Sequence, residues 1–135
     1  TFQEAMELVE NFAGEAADYM EQENSSSGKR QALQAMEYIK EHYAEQDLSL
    51  HNLCNFLGIS TSHFSTIFKE ITGETFMDVL IRTRMDKAKE LLEHTTLKNY
   101  EIAERVGFAD PHYFSISFKK ATGMTPTVYA RKHRR

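Results

Sequence analysis

Apolar residues recur along this chain at the spacing of one helix face after another. Phe2, Met6, Val9, Ala13, Ala16 and Met20 step alternately by four and three, a heptad stripe that predicts a helix over residues 2–23. Asn24-Ser25-Ser26-Ser27-Gly28 interrupts the stripe and reads as a flexible linker. A helix from Lys29 to about Ala44 then gathers Leu33, Met36, Ile39, Lys40 and Tyr43 near one face. Shorter periodic stretches follow over Leu50 to Leu57, Thr61 to Thr72, Asn99 to Val106 and Pro111 to Thr122. Between the two pairs lies a longer one from Thr75 to about Glu93, apolar at Phe76, Val79, Leu80, Ala88, Leu91 and Leu92. A last short helix runs from Thr125-Pro126 to about Arg131. The predicted fold class is all-α.

Local chemistry supports these boundaries. Ser49, Ser60, Asp110 and Thr125 stand where an N-cap accepts an otherwise unpaired first-turn amide. Pro111 and Pro126 occupy the first helical position, where the missing N–H costs nothing. Gly58, Gly73, Gly107 and Gly123 are the stops, since glycine takes the left-handed C-terminal conformation without penalty.

The chain also writes nearly the same sentence twice, as GISTSHFSTIFKEITG (58–73) and GFADPHYFSISFKKATG (107–123). Leu53, Cys54, Leu57, Gly58 and Ile59 align with Ile102, Ala103, Val106, Gly107 and Phe108. Past the turn, Phe64, Phe68, Lys69, Thr72 and Gly73 align with Phe114, Phe118, Lys119, Thr122 and Gly123, with one extra residue in the second turn. A short helix, a tight glycine turn and a second helix make a helix-turn-helix. The small Cys54 and Ala103 let the paired helices approach, so Cys54 reads as a packing residue rather than a reactive thiol. The whole is two homeodomain-like three-helix units, with the helix-turn-helices at about 49–73 and 98–123, joined by a linker helix at about 75–93. That linker spans roughly 28 Å, against the ~34 Å that separates successive major grooves on one face of DNA.

Net charge alone argues against a nucleic-acid partner, at −4. Its distribution reverses the inference. Residues 1–28 carry seven acids and no Lys or Arg, for −7, while the remainder carries +3 and ends in Arg131-Lys132-His133-Arg134-Arg135. The chain therefore divides into an acidic helix (1–24), a linker (25–28) and a basic domain (29–135). The acidic helix admits two readings: packing on its own domain, or a coiled coil that makes a homodimer through residues 1–23, opposed by its clustered acids. No apolar run approaches the ~20 residues that cross a bilayer, so no membrane partner is expected. A single cysteine suits a reducing cytosol, and a start at Thr1 suggests a piece of a longer protein.

The strings IRTRMDKAKELLEHT and EIAERVGFADPHYFSISFKKATGMTPTVYARK resemble the AraC/XylS family of transcriptional regulators, over about Lys29 to Lys132. The resemblance implies a seven-helix domain of two helix-turn-helix subdomains that binds double-stranded promoter DNA. It further implies an upstream sensory or receiver domain, RNA polymerase as a partner, no cofactor, and a cytoplasmic, nucleoid-associated protein. Positions matching the family's base readers are Ser62, Ser65 and Thr66, then His112, Tyr113 and Ile116. Thr66 and Ile116 stand where many members carry arginine, the side chain best suited to guanine. That leaves two alternatives, weak base discrimination or apolar contact of Ile116 and the Thr66 methyl with thymine methyls. Lys69, Lys119, Lys120, Arg82 and Arg84 are the phosphate-contact candidates, with Arg82 and Arg84 also matching positions that brace the subdomains. Each cation has the alternative of an ordinary solvated side chain. Tyr113 and Tyr129 divide between phosphate contact and half-buried packing, and His63 and His112 between DNA and solvent.

Two other classes compete. Catalysis lacks any HExxH, phosphate-binding glycine loop, nucleophile elbow or CxxC, and His42 with Glu45 three residues on is a common pairing. A helical protein-interaction module working through the acidic helix, with the repeat as scaffold, is the other. Salt-dependent binding to DNA separates it from a regulator.

Overall fold

A computed structural model describes residues 19–134, and their side chains from residue 27 on. Among these residues the fold is all-helical, with seven helices and no strand. They are α1 (Tyr19–His42), α2 (Leu50–Leu57), α3 (Thr61–Thr72), α4 (Phe76–His94), α5 (Asn99–Arg105), α6 (Pro111–Thr122) and α7 (Pro126–His133). Two compact units form. One takes the chain up to Glu41 and Leu48–Leu80, the other His42–Asp47 and the chain from Ile81 on, so α4 starts in the first and continues in the second.

The predicted caps are in place. The hydroxyls of Ser49, Ser60 and Thr125 accept the amides of Asn52 (3.1 Å), His63 (3.1 Å) and Val128 (3.2 Å), and the Asp110 carboxylate accepts that of His112 (2.9 Å). Thr75 and Asp78 complete a reciprocal capping box at the start of α4, each accepting the other's amide. Each recognition-type helix also ends the same way. Thr72 donates to the Phe68 carbonyl (2.7 Å) and accepts the Glu74 amide (3.2 Å); Thr122 does so with Phe118 (2.8 Å) and Met124 (3.2 Å). The repeated Thr-Gly is thus a termination device, its threonine bridging the last turn to the exit strand of chain. α5 departs from the glycine-stop pattern, ending at Arg105 with Val106 as its C-cap and Gly107 one residue later.

The first unit corrects the reading of residues 24–28. Asn24-Ser25-Ser26-Ser27-Gly28 is not a break but part of α1, which runs unbroken from Tyr19 to His42. Serines and a glycine are weak helix formers, costing up to about 1 kcal/mol each against alanine. Docking offsets that cost. Gly28 is buried, and a Cβ there would lie 3.0 Å from Ile71 Cδ1 and 3.1 Å from Ile67 Cγ2. The glycine is a point of close approach between α1 and the back of α3, followed by the fully buried Ala32, Ala35, Met36 and Ile39. Of the predicted heptad helix, residues 2–18 lie outside the described residues.

Both cores follow the sequence repeat. Leu53 and Cys54 of α2 are buried against α3, whose Phe64 and Phe68 stack at 5.1 Å between ring centroids. Burial pushes the Cys54 thiol pKa up, as a packing cysteine requires. In the second unit Ile102 and Ala103 of α5 play the same part against Phe114 and Phe118 of α6. Here an aromatic chain continues from Phe108 through Phe114 and Phe118 to Tyr129, centroid to centroid at 5.5, 5.9 and 5.3 Å.

Candidate nucleic-acid interface

Burying Phe64, Phe68 and Ile71 on one side of α3 turns a stripe of short polar side chains to the other. Ser62, His63, Ser65, Thr66 and Lys69 are all exposed. Of the predicted residues in the first unit, Ser62, Ser65, Thr66 and Lys69 therefore share an outward surface. The Phe64 and Phe68 pair behind them holds the helix from moving inward. Ser60 caps its N-terminus, its hydroxyl accepting the His63 amide.

The second unit presents the matching surface with different side chains. His112, Tyr113, Ile116, Lys119 and Lys120 are exposed on α6, whereas Ser115 is half-buried. Tyr113 is 54% exposed and Ile116 53%, large apolar areas for side chains outside any core. The Tyr113 ring rests at 5.7 Å from the Phe108 ring, which fixes its direction. Lys119 and Lys120 lie in the last turn of α6, where a cation also suits the negative end of the helix dipole.

The α4 arginines separate. Arg82 is half-buried. Arg84, expected as a phosphate contact, is 7% exposed and turned inward. Its Nε donates to the Tyr43 carbonyl (2.8 Å) and its Nη2 to the Glu45 carbonyl (2.9 Å), and its guanidinium carbon lies 5.6 Å from the centre of the Phe108 ring. Burial lowers its pKa. A guanidinium spent on two carbonyls is a brace for residues 43–45, not a phosphate ligand, and that part of the expectation is corrected. Sequence could not find those partners, which lie 41 and 39 residues away.

Tyr129 likewise belongs to the interior. It is 9% exposed, edge-on to Phe118 and stacked on His133 at 4.3 Å. Burial, and then the charge and hydrogen bond of Glu93, push its phenol pKa up. The His42 imidazole and the Glu45 carboxylate are hydrogen-bonded on the surface. Among the described residues no helix is long and apolar enough to cross a membrane.

Residues 53–132 match the family described as a helix-turn-helix domain. The xylose operon regulatory protein of Escherichia coli (strain K12) is 37% identical over 97 residues, 72% of this chain and 24% of that protein. The C-terminal domain of AraT, a response regulator from Geobacillus stearothermophilus, is 41% identical with a TM-score of 0.76, over 78% of this chain and 87% of that one. The DNA-binding domain of AdpA, a global transcriptional factor solved in complex with a target DNA, is 27% identical with a TM-score of 0.70, over 75% and 90%. This chain spans from 20% to 39% of the length of the curated relatives it matches.

Proposed function

The chain belongs to the AraC/XylS family of helix-turn-helix transcriptional regulators, and from that premise we propose that it binds promoter DNA in a sequence-specific way through α3 and α6. Each of these helices is the second member of a helix-turn-helix and enters a major groove with its exposed face. The observation that carries this is the paired construction of the two faces. Each is backed by two buried phenylalanines, opened by a side-chain cap and furnished with a lysine at the same place, Lys69 and Lys119.

Ser62, Ser65 and Thr66 on α3, with His112, Tyr113 and Ile116 on α6, are the base-facing candidates; Ser115, the half-buried counterpart of Ser65, is secondary. Lys69, Lys119 and Lys120 hold the phosphates, with Arg82 at the margin. The domain that does this takes in α1 from about Gly28. Curated relatives longer than this chain support an upstream domain that receives the signal, and AraT's description as a response regulator makes a receiver one form of it. Dimerisation through residues 1–23, contact with RNA polymerase and residence on the nucleoid complete the reading.

Fluorescence anisotropy with labelled duplexes between 50 and 200 mM salt tests it. Three lysine–phosphate contacts predict a slope of log affinity against log salt of at least about −2.7, at roughly −0.9 per phosphate neutralised. A flat, unsaturable signal would leave α3 and α6 without a DNA role.

A further inference from the structure

The two recognition helices are copies on their buried faces and differ on their exposed ones. Matching Phe64 to Phe114 sets Ser62, His63, Thr66, Lys69 and Glu70 against His112, Tyr113, Ile116, Lys119 and Lys120. All ten are exposed. The α3 side chains at the last two places are a lysine and an acid, which cancel; those of α6 are two lysines. At the central place, the hydroxyl-bearing Thr66 is answered by an isoleucine.

Ile116 sits at the middle of a polar and basic stripe with half its surface in water, and Tyr113 lies one turn before it, held against Phe108. In a major groove such a side chain has a narrow choice of partner. Every base offers it hydrogen-bonding groups at its edge, which isoleucine would strip of water without replacing a bond. Thymine alone adds a methyl group, beside its O4 acceptor. Resting on the DNA-binding reading above, we propose that Ile116, flanked by Tyr113, reads the 5-methyl group of a thymine, so that the half-site under α6 carries a preferred thymine. Thr66 imposes no equal demand on the α3 half-site, because its hydroxyl can pair with the polar edge of any base. Lys119 and Lys120, one turn beyond Ile116, anchor the α6 half-site on phosphate with two positive charges, where α3 has a lysine and Glu70. The two half-sites are chemically unlike, and the one under α6 is the stronger.

Deoxyuridine isolates the methyl group, since it keeps thymine's pairing and polar edge. Duplexes selected from a random pool by this protein are resynthesised with each thymine in turn replaced by deoxyuridine, and binding is followed by anisotropy at fixed salt. One or two thymines in a single half-site should weaken binding about fourfold on replacement, the worth of one buried methyl (~0.8 kcal/mol). Ile116→Ala should bind the thymine and uracil duplexes alike, while Ile116→Val and Thr66→Ala keep the difference. The position is exposed, so circular dichroism of Ile116→Ala should match the parent. Tight, salt-dependent binding that ignores every uracil, or an Ile116→Ala protein that still responds to it, overturns the proposal and leaves DNA binding intact. Failure of the pool to enrich, with no salt-dependent binding to any duplex, takes down the DNA reading and this proposal together.

Discussion

Gly58 and Gly107 close the same turn in the two copies of the repeat, yet alanine at the two positions should have very different effects. Gly58 has φ 74° and ψ 30°, inside the left-handed region, and no atom within 4 Å of where a Cβ would stand. Alanine there meets only the left-handed penalty of about 1–2 kcal/mol, partly offset by about 0.4–1 kcal/mol from a stiffer unfolded chain. The net loss is about 1 kcal/mol, or ~4–8 °C in melting temperature for a domain of this size. Gly107 has φ 101°, and its Cβ would lie 2.4 Å from the Tyr43 carbonyl oxygen, 2.7 Å from Arg84 Nε and 3.0 Å from Arg84 Cζ. No side-chain rotation relieves a collision with a backbone oxygen. Either residues 43–45 or the guanidinium must move, and the two bonds between them, at 2.8 and 2.9 Å, are strained or lost. Hydrogen bonds to a charged group contribute about 1.5–3 kcal/mol each, so Gly107→Ala should cost about 3–5 kcal/mol and lower the melting temperature by at least ~12 °C. Asparagine sharpens the contrast, because it tolerates the left-handed conformation. Gly58→Asn should be nearly neutral and Gly107→Asn as damaging as alanine. Thermal melts followed at 222 nm decide it. If Gly58→Ala and Gly107→Ala melted within about 3 °C of each other, the crowding at Gly107 would be irrelevant and the reasoning wrong.

Four other outcomes are expected. Gly28→Leu should destabilise by about 2 kcal/mol in urea through overpacking against Ile67 and Ile71, while Gly28→Ala stays within about 1 kcal/mol because the two methyls can yield and helix propensity improves. Tyr129→Phe should cost about 1 kcal/mol at pH 8 by losing the bond to Glu93. Because the folded phenol titrates above its unfolded value of about 10, Tyr129 supports folding below that pH and the support fades as pH rises past it, so the gap between the two proteins should narrow by pH 10.5. Lys69→Ala and Lys119→Ala should each shallow the salt slope by about 0.9 without changing base preference, an unchanged slope counting against phosphate contact. Any self-association seen by sedimentation should vanish in Met6→Glu, which puts a charge in the heptad seam.

How much could be read in advance depended on distance along the chain. The caps at Ser49, Ser60, Asp110 and Thr125 were legible because a cap and its amide are two or three residues apart. The buried phenylalanines and small residues were legible because the repeat shows each twice. Gly28 was misread since Ser-Ser-Ser-Gly has a linker's composition, and the contact that makes it helical comes from Ile67 and Ile71, about forty residues on. Of the two roles offered for Arg84, phosphate contact failed for the same reason: its basic character is local, but its carbonyl partners are not. On the faces of α3 and α6, exposure was predictable from periodicity, whereas the direction of the Tyr113 ring depended on Phe108 across the turn.

The loop from His42 to Asp47 bears on how this protein can be taken apart. It follows α1 in sequence, yet it belongs to the second compact unit, where Arg84 grips the carbonyls of Tyr43 and Glu45. A sequence repeat invites the idea of interchangeable cassettes, in which one half is cut out and grafted elsewhere to change specificity. Here the cut does not fall between the copies. A second half excised at Ile81 would leave Arg84 with no carbonyls to hold and Gly107 facing a gap, while a first half ending at Leu80 would keep a loop whose anchor is gone. Exchange of specificity is therefore a matter for the outward side chains of α3 and α6 alone, with the scaffold kept as one uncut thread.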